Sequence, residues 1–210
     1  MSEDECADCD GTKHVLNEDG TASRCKTCFP TEHKLDVQDI PVRFETSRLS
    51  EVQKDLGNSP EFFKIANTVV IKTINNKALK AIPIFIGDEE HILRLTSAMC
   101  NEISAQTGKR CAVVTMAKLQ DLFFNNKSKG FYGFASYNYR AVVLQLGTEI
   151  ATSATVKILK EFLAERRNKG LYSFLTLEVV PAKLTQEGYP LEIQNFLNDS
   201  KRFLAVSVRL

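Results

Sequence analysis

Two cysteine pairs constrain the start of this 210-residue chain more tightly than any other feature. Cys6-Ala-Asp-Cys9 and Cys25-Lys-Thr-Cys28 are each CxxC, with fifteen residues between them. A CxxC turn lets two thiolates reach one tetrahedral metal, and the intervening loop is long enough to present the second pair to the same ion. Redox pairs or disulfides are the competing reading. Doubled pairs at zinc-ribbon spacing, in a chain that does not open like a secretory protein, favour zinc held by Cys6, Cys9, Cys25 and Cys28. Four cysteine ligands leave no open position for water, so the expected role is structural.

Composition narrows the remainder. The chain is 43% hydrophobic and 25% charged, with room for one α/β domain and a small appendage. Lys and Arg total 27 against 26 Asp and Glu, so no global basic field announces strong nonspecific nucleic-acid binding. No apolar run approaches the roughly 20 residues that span a bilayer, and no membrane partner is expected. The opening Met-Ser-Glu-Asp-Glu is acidic, unlike a presequence. Cys100 and Cys111 stand in apolar contexts as core residues, and a reduced cytoplasmic setting is the expectation.

Residues 1–33 lack helical or strand periodicity and read as a metal-held knuckle. Residues 34–58 read as a connector containing Pro41, with apolar anchors such as Phe44 and Leu49. Ser59-Pro60-Glu61 has the chemistry of a helix start. From residue 80 onward, apolar runs at 82–86, 111–116, 140–146, 171–180 and 203–208 alternate with amphipathic stretches, the first of which should stop at Gly108. Alternation of this kind predicts an α/β domain over 59–210, built on a parallel sheet covered on both faces.

In such a sheet the first strand–turn–helix is the usual phosphate cradle. A P-loop needs GxxxxGK[ST]. Counted from Gly87, Ile92 replaces the second glycine, Leu93 the lysine and Arg94 the hydroxyl. Asp88, Glu89 and Glu90 occupy the helix start, where they favour the dipole and repel phosphate. The third strand ends Leu144-Gln145-Leu146-Gly147 without an acidic pair for magnesium. His14, His33 and His91 form no visible triad. No catalytic constellation and no nucleotide are expected.

The order of parts resembles the DnaC/DnaI-type replicative helicase loaders of the AAA+ family. Cys6-xx-Cys9-Asp10-Gly11-Thr12 with Arg24-Cys25 is similar to their zinc-bearing segment, and Asp39-Ile40-Pro41-Val42-Arg43-Phe44 resembles their IP-x-RF linker. Pro83–Gly87, Ile158–Val180 and Leu191–Leu197 resemble the strand before their P-loop, their later helix–Gly–strand unit and their C-terminal helix. The resemblance implies a RecA/AAA+-like domain, here degenerate. The Walker residues are missing, Glu178 falls near the sensor position, and Asn195 stands where an arginine is expected. It also implies partners: a hexameric replicative helicase for the zinc region and single-stranded DNA for the core.

Lys127, Lys129, Phe131, Tyr132, Tyr137 and Arg140 interleave cations with aromatics and form a candidate stacking platform for unpaired bases. The stronger expectation is that these aromatics fold back onto the sheet. The leading expectation of function is therefore a non-catalytic DNA replication accessory protein, an ATP-independent helicase loader or helicase-binding factor. A small stand-alone gene of this kind suits a bacteriophage. An inhibitor of helicase loading and a zinc-containing single-stranded nucleic-acid-binding module are the alternatives.

Overall fold

The computed structural model describes residues 14–16, 22–24, 40–55, 60–125, 139–147 and 152–207. The chain divides into two compact units, Met1–Val37 and Gln38–Leu210. In the first, β1 (His14–Leu16) pairs antiparallel with β2 (Ala22–Arg24), His14 opposite Arg24. Strands of three residues are too short to carry a period, which is why the sequence reads as irregular there.

The second unit is built on five parallel strands: β3 (Ile82–Ile86), β4 (Cys111–Thr115), β5 (Ala141–Gln145), β6 (Tyr172–Leu177) and β7 (Phe203–Ser207). Their spatial order is β4-β5-β6-β3-β7. The first strand of the domain thus lies inside the sheet, hydrogen-bonded to β6 on one side and β7 on the other. Parallel strands need crossovers, and the helices between them cover both faces. One face carries Phe85, Val113, Val143 and Phe174 and shares a core with α1 (Leu49–Asp55), α2 (Pro60–Ile74) and α3 (Glu89–Thr107). The alternate residues Ile84, Val142, Leu144 and Leu175 are buried on the other face, where α5 (Ser153–Asn168) contributes Val156, Leu159 and Phe162. The short helices α4 (Met116–Asn125) and α6 (Leu191–Leu197) complete the unit.

The strand and helix positions follow the sequence patterning closely. The helix expected to stop at Gly108 does so: Gly108 adopts φ +64° and its N–H bonds the Ser104 carbonyl at 2.9 Å. That left-handed conformation suits glycine.

The expected connector is corrected from residue 40 onward. Phe44, Leu49 and Val52 are core residues. Val42–Phe44 forms a 3-10 turn, and α3 holds it in place: Asn101 Nδ2 donates to the carbonyls of Phe44 and Ser47, each at 2.9 Å. Isolated apolar residues within a polar stretch carry no period, so the sequence shows the anchors without showing the docking.

A second long-range tie is made by Arg166 of α5, which is fully buried. Its Nη2 donates to the carbonyls of Tyr139 (3.0 Å) and Tyr172 (2.7 Å), and its Nε to Ser173 Oγ (3.1 Å). These groups sit at the starts of β5 and β6, so one guanidinium pins α5 to two strands. All these acceptors are neutral. Burial pulls the group down to about 9, which leaves it charged at neutral pH.

Two outcomes follow for urea unfolding monitored by circular dichroism. Replacing Arg166 by Met leaves the Tyr139 and Tyr172 carbonyls without this donor and should cost ~2–4 kcal/mol. Asn101→Ala should cost ~1–2 kcal/mol by releasing the 40–48 segment, with the folded spectrum unchanged.

Candidate functional site

The carboxyl ends of β3, β5 and β6 converge where β3 lies beside β6, the place where open α/β sheets hold their ligands. Gly87, Glu89 and Ile92 approach from the β3–α3 turn, Gln145 and Leu146 from β5, and Thr176 and Glu178 from β6. The backbone draws these ends together. Gly87 N–H donates to the Leu177 carbonyl and Leu146 N–H to the Thr176 carbonyl, both at 3.1 Å. The cleft left between them is about 50 Å³.

The turn itself is closed by its own side chains. Asp88 Oδ1 accepts the His91 N–H at 3.2 Å, capping α3. Glu89 and Glu90 add negative charge to the first turn, and Arg43 reaches Glu90 at 2.7 Å. Arg43 also lies over the Phe44 ring, 4.8 Å from its centroid. The segment resembling a loader linker therefore reaches the helix end that a phosphate would occupy. Both members of the Arg43–Glu90 pair are exposed, so the bond orients the segment more than it stabilises it.

A magnesium nucleotide does not fit these residues. The cleft is several-fold smaller than the ~300 Å³ at which small-molecule pockets begin. Among the described residues, Glu89 and Glu178 line it, and no Lys or Arg does. Gln145 ends β5 and Leu146 follows it, so neither position offers a carboxylate for a metal. Tyr189 donates to the carbonyl of Leu146, a lining residue, at 3.3 Å. Burial, then Glu178 and Glu187, push its hydroxyl upward, so it stays a donor.

Of the residues singled out in the sequence, Cys6, Cys9, Cys25 and Cys28 lie outside the described residues. They flank the β1–β2 hairpin in sequence, one pair before it and one directly after. A set of four thiolates suits zinc. Among the described residues, no group of three His, Cys, Asp or Glu is placed to hold a metal. Cys100 and Cys111 are buried and free, and the Cys100 thiol is pushed up by its hydrogen bond to Cys111 and by burial. Neither offers an exposed nucleophile.

Lys127, Lys129, Phe131, Tyr132 and Tyr137 also lie outside the described residues. Arg140 does not, and the expectation of a surface cation is corrected there. Its side chain is buried and donates through Nε (3.1 Å) and Nη2 (2.6 Å) to the Thr73 carbonyl. It also stacks over the Tyr172 ring at 5.0 Å. Its acceptor is 67 residues away in sequence, a separation no local pattern reports.

No protein-family model and no curated protein sequence matches the chain. Solved structures do. A DnaI structure aligns over 80% of this chain and 94% of its own, with a TM-score of 0.60 and 15% identity. The DnaC helicase loader aligns over 79% of this chain and 99% of its own, with a TM-score of 0.53 and 14% identity. A DNA replication initiation factor aligns over 77% of this chain at a TM-score of 0.53 and 16% identity, and the match spans only 49% of that longer protein. The chain thus shares its fold with the DnaI and DnaC helicase loader structures.

Proposed function

We propose that this protein is a non-catalytic accessory factor of DNA replication. It binds a hexameric replicative helicase through its N-terminal cysteine module, without ATP. The observation that carries this reading is a loader fold whose phosphate-binding turn is occupied by its own carboxylates above a cleft of about 50 Å³.

Cys6, Cys9, Cys25 and Cys28 would hold the zinc, which supplies rigidity to a segment with little hydrophobic core of its own. The α/β unit then acts as a fixed body. Its helix α3 is tied to residues 40–48 by Asn101 and Arg43, so the segment leading from the N-terminal unit is anchored from residue 40. Binding through a module that keeps no nucleotide makes the complex depend on concentration alone.

The test is affinity capture from the native cell with the tagged full-length protein, followed by size-exclusion of the purified pair. The hexameric helicase should co-elute, and Cys25→Ser or Cys28→Ser, or chelation of zinc, should abolish the complex while circular dichroism of the α/β unit persists. A zinc-loaded protein that never co-elutes with helicase would end the proposal. Strand-unwinding assays then separate placement of the helicase from blockade of its loading.

ATP provides an independent check. Turnover in the presence of magnesium should equal the protein-free blank, with or without DNA. Saturable turnover abolished by substitution at Gly87 would overturn the reading of that turn.

A further inference from the structure

We infer that the amino end of the sheet, opposite the closed cleft, holds a nucleotide unit, with its phosphate on Lys80, Arg167 and Arg202 and its base and sugar against an apolar wall. The cavity there measures about 240 Å³, nearly five times the carboxyl-end cleft. It approaches the size of small-molecule pockets and exceeds what a bare phosphate requires. Leu79, Leu163 and Leu171 supply the apolar side.

Charge at this end has one dominant sign. Lys80 and Arg167 are exposed and make no ion pair among the described residues, whereas Arg202 pairs with Asp199 at 3.1 Å. Glu165 on α5 is taken by Lys169 at 3.0 Å. Behind the cavity wall stands a further cation. Ser173 lines the cavity, and its hydroxyl accepts from the buried Arg166, whose Nη1 has no partner among the described residues. The hydrogen-bond acceptors of that guanidinium are neutral, so none of them carries a charge to cancel its own. Cations also precede the neighbouring strands, with Arg110 just before β4 and Arg140 just before β5. The arrangement suits a phosphate attached to an apolar, planar group. It owes nothing to the P-loop turn and does not depend on helicase binding.

A nucleotide unit reaches such a site either free or within a single strand, and two probes separate these sources. The full-length protein is titrated with AMP by calorimetry and with fluorescein-labelled (dT)15 by anisotropy. The double variant Lys80→Ala/Arg167→Ala is compared with Lys64→Ala/Lys183→Ala, an equal loss of charge at exposed sites that do not line the cavity. Thermal unfolding verifies that both fold.

Saturable AMP binding, weakened about tenfold or more only in the first variant, identifies a free nucleotide as the ligand. Binding of (dT)15 alone, weakened similarly and with its salt slope reduced by ~1.4, identifies a strand. The inference is overturned if wild-type protein binds neither probe, if the first variant binds as tightly as wild type, or if both variants lose affinity equally.

Discussion

Parallel pairing of β3 on both its edges sets what lies at each end of this molecule. Because β6 and β7 both bond to the first strand of the sheet, the chain must leave β3 and return twice, and each return needs a helix across a face. The same pairing creates the point at which strand order reverses. At the carboxyl end it brings Gly87, Gln145 and Thr176 together, and at the amino end it brings Ile82, Tyr172 and Arg202 together. Phe85 of this strand makes edge-to-face contacts with Phe62 (6.0 Å) and Phe174 (6.5 Å). Loss of β3 pairing would therefore dismantle the aromatic core as well as both ends.

The two ends have opposite electrical character. Acids gather at the carboxyl end through Asp88, Glu89, Glu90 and Glu178, while cations precede the strands at the amino end. The chain's near-zero net charge hides this segregation, because composition sums over positions that the fold separates by the length of a strand. The buried Arg166 belongs to the same asymmetry. It is held by carbonyl oxygens, which satisfy hydrogen bonds without neutralising charge.

Local patterns made much of the architecture legible. The run Ile82–Ile86 is a strand as its apolar continuity indicates, and Gly108 ends α3 as its conformational freedom permits. The acids after Gly87 were readable as a self-capped turn, and Asp88 caps it. What stayed hidden depends on partners far away in sequence. Arg140 reads as a surface cation until the Thr73 carbonyl is placed beside it, and nothing local to Arg166 announces the Tyr139 and Tyr172 carbonyls that accept from it. Residues 40–55 read as a connector because their anchors make sense only against α3. The cavity beside Lys80 is assembled from separate stretches, none of which has a motif.

The self-capped turn at Gly87 has a consequence for timing. In a nucleotide-driven device, the terminal phosphate acts as a clock: its loss changes the contacts of the turn and lets go of whatever is gripped. A turn whose anion is its own aspartate cannot shed that anion, so it has a single setting. In the role proposed above, such a turn supplies no timer for how long a partner is held. The lifetime of that proposed complex is then its own dissociation time, with no nucleotide step to shorten it.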